Sequence, residues 1–444
     1  MNYKELTEKL VNKCLKKGAD EAEVFLESSR NLSIEVRNNN LEKIEEASSH
    51  GCGLRVFIKG KMAFSSCNDF SEKSIEQAVD SAVSFARHTT SDKNNILPDN
   101  KGISDVKGLY DPDIKNIPMD DKIKIALNTE KQAMKDSRIT KSAGAGYGES
   151  DNEIFLANSH GLRKSYKTSY CYFGVSVVAE KKDQKSSGSE YCSRRYFSDL
   201  KPFKEIADKA AKDAYKMLDP RMVKTQKAAV IFDPDVARGI LGGILGAVNG
   251  ERVIQEASFL GKRLNKKIGS DLVSIIDDGL LPKGLASKPF DGEGVPTQKR
   301  FIMKNGALKG FMYNTIVGQR AGVQSTGNAS RRDFRSIPGI GSHNFYLTAG
   351  DMSPEEIIKA TKKGLLLTGL TGYGINPVNG NFSGGASGFW IEDGKIAFPV
   401  KGLTIAGTAD DMLKSIDLKA NDLDLNKSFT APTFRIKSML IGGK

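Results

Sequence analysis

The sequence predicts an α+β protein, with an N-terminal α/β domain of antiparallel strands and flanking helices and a β-rich C-terminal domain with few helices. The first observation is hydrophobic spacing, which alternates between helical and strand periods through the first half. The second is glycine, because residues 1–200 hold 12 of the 44 glycines and residues 201–444 hold 32. Glycine marks turns and close backbone approaches, so short strands are expected in the second half. Residues 219–226 are the candidate boundary, which gives domains 1–222 and 223–444.

The first half opens with a helix over residues 3–17, where Leu6, Leu10 and Cys14 share one face and Gly18 follows as a C-terminal cap. Asp69 is expected to cap a later helix, with Glu72 completing a capping box. The other elements follow as strands at 22–29, 31–37 and 41–47, a hairpin turning at Lys59-Gly60, a linker at 91–118, a helix at 119–136, strands at 138–148, 152–158 and 162–180, and a helix at 201–217.

The second half opens with a strand at 228–232 and a helix at 235–248, with Asp233-Pro234 at the helix start. Short strands and glycine turns are expected after Gly250. One clear helix interrupts them, and it begins at Ser353-Pro354, a serine cap followed by proline in the first turn.

Composition restricts the class of protein. Hydrophobic residues make up 39% and charged residues 27% of the 444, as in a globular protein with a substantial core. The N-terminal residues lack the apolar run of a signal peptide, and no apolar stretch is long enough for a transmembrane helix. Five widely spaced cysteines, an odd number, favour reduced thiols in the cytoplasm over a disulfide framework.

The net charge of +12 raises the question of nucleic-acid binding. Residues 1–150 carry 23 basic and 24 acidic residues, and residues 151–444 carry 43 and 30, so the excess lies in the later part. There the basic residues are dispersed instead of clustering on one element with aromatic neighbours. The pattern favours a solvated surface, or a groove for anionic peptides, over nucleic acid.

Metal-ligand and nucleophile motifs are missing from the sequence. Its histidines, His50, His88, His160 and His343, lie too far apart for an H-x-x-x-H element, and there is no C-x-x-C. Neither a G-x-S-x-G elbow nor a phosphate-binding loop motif occurs. The densest polar loops cover 287–300, 325–332 and 376–395. They suit either tight turns of a β domain or strand-like binding of a peptide, and the residues alone leave both open.

The same loops carry a family resemblance, which spans nearly the whole chain. The sequence resembles the TldD/PmbA family, often labelled modulator of DNA gyrase, and is most similar to its PmbA/TldE branch. The motifs are SFL (258–260), GLASKPFDGEGVPTQKR (284–300), STGNASR (325–331), GYGINPVNGNFSGGASGFWIEDGKI (372–396), TIAGTADDML (404–413) and the GLRVFIKG segment from residue 53.

The resemblance implies a two-domain α+β fold and a role in cytoplasmic proteolysis. In the TldD branch a helix with H-E-x-x-x-H and a later cysteine hold zinc, and TldD and TldE chains work as a pair on peptide or unfolded substrates. Here the matching helix reads GILGGILGAVNGE, so the motif's ligand and base positions fall on Leu241, Gly242 and Gly246. These residues cannot ligate zinc, so no cofactor is expected in this chain, and zinc is expected in a TldD-like partner.

We therefore expect a dimer-forming, non-catalytic subunit that shapes a peptide-binding chamber for a TldD-like metallopeptidase chain. Two other hypotheses stay open: a metal-free homodimeric peptide-binding module and, with less weight, a DNA- or gyrase-associated modulator. Asn328 and Arg331 are expected to anchor an acidic or C-terminal group, because arginine suits carboxylates. Strand-like contact with peptide is expected from Asn379, Gly380, Asn381, Phe382, Ser383 and Gly384.

Overall fold

The computed structural model describes residues 2–444, except for the side chain of Tyr373. Mixed α+β architecture is confirmed, with long antiparallel strands first and a β-rich second half. The helices are α1 Tyr3–Lys16, α2 Glu72–His88, α3 Met119–Ala133, α4 Phe203–Lys216, α5 Pro234–Ala247, α6 Gly250–Ile254, α7 Thr315–Arg320, α8 Pro354–Lys359 and α9 Ala409–Lys414.

The strands of the first half form a single antiparallel sheet in the order β3-β2-β1-β4-β5-β6. No strand of this sheet pairs with a described strand of the second half. The division into domains 1–222 and 223–444 stays a prediction. The six strands are β1 Glu21–Arg37, β2 Asn40–Ile58, β3 Lys61–Cys67, β4 Ile139–Asn158, β5 Arg163–Lys181 and β6 Gln184–Arg194.

The two faces of this sheet have different neighbours. Strand residues alternate between faces, so Val24, Leu26 and Leu32 of β1 point to one side and Glu23 and Phe25 to the other. The even-numbered side packs under all four long helices of this half, α1 to α4. The odd-numbered side packs against loops of the second half. The sheet is therefore buried on both faces over part of its area.

The second half contains a ring of strands. One sheet has the order β16-β15-β14-β7-β19-β17, and an added pairing between β16 and β19 closes five of these strands into a ring. A second sheet has the order β10-β9-β8-β13-β18, and β11 pairs with β12. The strands are β7 Gln226–Phe232, β8 Ile275–Asp278, β9 Lys299–Lys304, β10 Ala307–Leu308, β11 Ala329–Ser330, β12 Gly339–Ile340, β13 Asn344–Leu347, β14 Lys363–Ile375, β15 Asn381–Glu392, β16 Lys395–Thr408, β17 Ile416–Lys419, β18 Phe429–Thr430 and β19 Phe434–Gly442.

Several local expectations were wrong. β1 is a single strand through Arg30, and the region after Gly250 holds the long strands β14 to β16 and the short helices α6, α7 and α9 besides the one expected helix. β4 runs unbroken through the polar residues near 150, because Glu149 is buried in ion pairs with Arg30 and Lys122 instead of lying in a turn. β6 was not predicted, since its sequence is rich in serine and poor in apolar residues. The side chain that caps α2 belongs to Ser71, and Asp69 supports it by accepting from the Ser71 hydroxyl.

Among the helices of residues 2–444, none combines the length and apolar composition that crossing a bilayer requires.

Helix α5 approaches β14 closely through its glycines. A Cβ on Gly243 would lie 2.4 Å from the Cβ of Ile375 in β14, a distance that real side chains do not adopt. A Cβ on the adjacent Gly242 would meet no atom within 4 Å. Of these two neighbouring glycines, Gly243 therefore has no room for a side chain and Gly242 has ample room.

We predict opposite stability changes for alanine at these two positions. Gly242→Ala should raise the free energy of unfolding by about 0.5–1 kcal/mol, because alanine restricts the unfolded chain and fits the helix. Gly243→Ala should lower it by about 1–3 kcal/mol through overpacking against Ile375. Urea unfolding of the two variants measures both effects. Equal changes in the same direction would contradict the packing described for α5.

Candidate functional site

Loops of the second half cover the odd-numbered face of the first sheet. The ring of Phe334 lies directly on β2, where a Cβ on Gly51 would come within 2.3 Å of it, so only glycine allows this approach. Phe290 packs in the same cluster with Phe25 of β1. This contact layer contains two of the loops whose motifs carry the family resemblance, 284–300 and 325–331.

A network of four charged side chains lies within this layer. Glu23 of β1 and Arg55 of β2 are cross-strand neighbours, and they form a two-pronged ion pair with N–O distances of 3.2 and 2.9 Å. The Nη1 of Arg55 also donates to Glu293 at 2.8 Å. Arg331, which follows β11, donates to Oε1 of Glu23, the oxygen that also accepts from Nε of Arg55. All four side chains are at most 2% exposed.

Charge balance makes this burial possible. Two guanidinium groups face two carboxylates, and the second oxygen of Glu293 accepts the backbone N–H of Thr315 at 2.8 Å. Burial acts against the charge of Arg55, but Glu23 and Glu293 outweigh it and raise the guanidinium pKa. Burial lowers the pKa of Arg331, and Glu23 opposes that change. Removal of one member would leave an uncompensated buried charge.

A second polar cluster stands beside the first and is organised by Asp277 at the end of β8. Its Oδ2 accepts from the side chain of Asn328 at 2.7 Å and lies 3.1 Å from Nδ1 of His343. The other oxygen accepts the backbone N–H of His343 at 2.6 Å. Asp291 accepts three backbone N–H groups, including that of Ala329 at 2.8 Å. Together, the four-residue ion-pair network and the Asp277 cluster fix the conformation of the loops 287–300 and 325–332.

Asn328 and Arg331, predicted to anchor an acidic group, are brought close together here. Both side chains are buried, and both have partners within the chain. Besides Glu23, Arg331 donates to the carbonyl oxygens of Gly292 and Ser336, each at 2.8 Å. The contacts therefore support a structural role, and the predicted contact with a peptide carboxylate gains no support from this geometry.

The segment from Asn379 to Gly384 lies elsewhere, in the turn and first residues of the β14–β15 hairpin. Within residues 2–444, no hydrogen bond joins it to Asn328 or Arg331. β15 pairs with β14 on one side and with β16 on the other, so a peptide cannot add to its edge. The exposed members are Asn379, Asn381 and Ser383, whereas Gly380 and Phe382 are buried. Contact through these exposed side chains stays a prediction.

The residues of α5 do not fit a zinc ion. Leu241 is buried, Gly242 is exposed, and Gly246 lies beside Pro377. None of these side chains carries a nitrogen, oxygen or sulfur donor. Among residues 2–444, no three His, Cys, Asp or Glu side chains gather in a way that could hold a metal.

Sequence reasoning missed the importance of Glu23 and Arg55. A signal was present, because Arg55 alternates with Leu54 and Val56 in a strand whose neighbours are apolar. A charged residue in such a strand indicates a buried partner. The partner Glu293 lies 238 residues away, so its identity could not be read from the local pattern.

We predict that Arg331→Met lowers the free energy of unfolding by about 3–5 kcal/mol, because Glu23 loses a buried partner. Arg335→Met is the matched control, since Arg335 pairs with Asp333 at an exposed position. Arg335→Met should lower the free energy of unfolding by less than about 1 kcal/mol. Chemical unfolding followed by circular dichroism measures both. A cost for Arg331→Met no larger than that of the control would show that the buried network contributes little.

Three family models match successive parts of the chain. The PmbA/TldA metallopeptidase domain 1 matches residues 22–86, the central domain matches residues 112–218, and the C-terminal domain matches residues 225–443.

Individual relatives match over nearly the full length. Metalloprotease PmbA of Escherichia coli O157:H7 is 30% identical over 433 residues, which are 96% of this chain and 93% of that protein. A Metalloprotease PmbA homolog of Haemophilus influenzae is 32% identical, with 96% and 93% covered. The crystal structure of TldE from Thermococcus kodakarensis superposes with a TM-score of 0.90 at 26% identity, covering 98% of this chain and 99% of that one. The chain therefore belongs to the PmbA/TldD metallopeptidase family.

Proposed function

We propose that this chain is a PmbA/TldE-like, non-catalytic subunit of a cytoplasmic peptide-processing system. A TldD-like partner would hold the zinc and perform hydrolysis, and this chain would complete the chamber that binds the peptide. The observation that carries the proposal is the composition of α5, where leucine and glycine stand at the positions assigned to the metal ligands and the catalytic base. Peptide hydrolysis by zinc needs donor side chains on the metal and a base for the water, and α5 supplies neither.

The surface beside α5 supports a role in contacting peptide. No atom lies within 4 Å of the position that a Cβ on Gly242 would take, so the helix surface is open there. β14 lies nearby, and the turn that follows it leads into β15 at Asn381. Asn381 and Ser383 alternate with the buried Phe382, so both polar side chains project from the same face of β15. Short polar side chains on an exposed strand face can bind the backbone groups of an extended peptide. We assign the substrate contact to these side chains, because both edges of β15 are already paired.

The choice of a TldD-like partner follows from the likeness to TldE over nearly the full chain. The cytoplasmic location belongs to the same proposal and depends on the odd number of widely spaced cysteines.

The first test separates this chain from its partner. The chain is purified alone and together with a TldD-like homologue from the same genome, and bound zinc and cleavage of an unfolded peptide are measured. We expect zinc and chelator-sensitive cleavage only when the partner is present. A partner variant with its H-E-x-x-x-H glutamate changed to glutamine is the control for activity. Stoichiometric zinc with chelator-sensitive cleavage by this chain alone would contradict the proposal.

The second test concerns the hairpin. Ser383→Arg should lower peptide cleavage by the pair about tenfold or more, because a large side chain displaces the peptide from its position. Ser84→Arg, at an exposed position of α2, is the matched control and should leave cleavage unchanged. Co-purification of both variants with the partner shows that assembly is intact. Equal cleavage by the two variants would show that Ser383 does not contact the substrate.

A further inference from the structure

A cleft of about 300 Å³ opens between the first sheet and the loops that cover it. Small-molecule sites begin at about this size. We call it the interdomain cleft. Its apolar wall includes Phe25 and Ile154, and its polar wall includes Tyr166, Arg195, Lys288 and Arg332.

Arg195 is deeply buried, at 5% exposure. Arg331 also lines the cleft, but its charge is paired with Glu23. The guanidinium of Arg195 donates to the carbonyl oxygens of Ser169, Gly284, Leu285 and Ser287, at 2.7 to 3.3 Å. Within residues 2–444 it forms no ion pair, in contrast to Arg55 and Arg331. Carbonyl oxygens orient the group but do not neutralise it. Burial accordingly lowers the pKa of Arg195 to about 10.

Lys288 and Arg332 add two more cations to the same wall. Lys288 is half-buried, whereas Arg332 is exposed at the edge of the cleft. Neither has an ion-pair partner among the described residues, and the ammonium of Lys288 makes no hydrogen bond there. Burial lowers the pKa of Lys288, and the carboxylates of Asp291 and Asp277 oppose this change.

Two carboxylates also line the cleft, Glu27 and Asp333. Asp333 is already paired with Arg335 at 3.1 Å. Burial raises the pKa of Glu27, and the nearby Asp333 adds to this rise. Because Asp333 is paired, Glu27 is one carboxylate facing three cations, and the cleft keeps an excess of positive charge.

We propose that the interdomain cleft binds an anionic ligand, whose carboxylate or phosphate head faces Arg195, Lys288 and Arg332 and whose apolar part lies against Phe25 and Ile154. An anion there would pair with cations that have no ion-pair partner among the described residues. The cleft lies within one chain and away from α5. The inference therefore does not depend on the proposed role beside a TldD-like partner.

The test uses the full chain alone, titrated calorimetrically with inorganic phosphate and, separately, with glutarate at low ionic strength. Lys288→Gln and Arg332→Gln should each weaken binding about tenfold, the effect of losing one charge-assisted hydrogen bond. Lys395→Gln is the matched control, because Lys395 is exposed at the start of β16 and its substitution changes the net charge by the same amount. Its affinity should equal that of the unaltered chain.

The two probes also distinguish the ligand classes. Binding of phosphate alone would assign a phosphorylated ligand, and binding of glutarate alone would assign a carboxylate, such as the end of a peptide. Binding of neither probe would overturn the proposal, and so would equal affinities for the two cleft variants and the control. Peptide cleavage by the complex with a TldD-like partner is measured in parallel, so failure of the cleft proposal can be told from failure of the proposed function.

Discussion

The arrangement of the two halves depends on the buried ion pairs of Arg55 with Glu23 and Glu293. These pairs join two strands of the first sheet to a loop that follows more than two hundred residues later. Charges removed from water must be compensated locally, so the two halves can pack at this position only in a geometry that brings the partners together. The network therefore selects one arrangement of loops and sheet more strictly than apolar contacts alone would.

This constraint changes the interpretation of the polar, glycine-rich loops. Their density of Asn, Asp, Glu and Arg was compatible with either ligand binding or tight turns, and most of these side chains now have partners within the chain. The groups of these loops that remain for ligands are the exposed side chains of the β15 hairpin and the cations Lys288 and Arg332, which line the interdomain cleft with Arg195. Such surfaces suit the proposed subunit that positions peptide for another chain.

Local elements were largely predictable, because helical spacing, caps and turns are encoded within a few residues. The first helix, the Lys59-Gly60 hairpin and α5 lie within two residues of their predicted positions. Long-range pairing was not predictable, and the closure of the strand ring through β16 and β19 has no local signal. Arg331 shows the limit at the site. It was expected to anchor an acidic or C-terminal group of a peptide, but the carboxylate that it contacts in the structure belongs to Glu23, 308 residues away in the same chain.

We infer that the two halves are coupled energetically through the Arg55–Glu293 pair. A double-mutant cycle tests this coupling, with Arg55→Met, Glu293→Gln and the double variant unfolded in urea. Each single variant leaves a buried charge or polar group without its partner, and the double variant removes both. We expect a coupling free energy of about 2–4 kcal/mol, as for close desolvated charge pairs. Additive single effects, with a coupling free energy near zero, would contradict it.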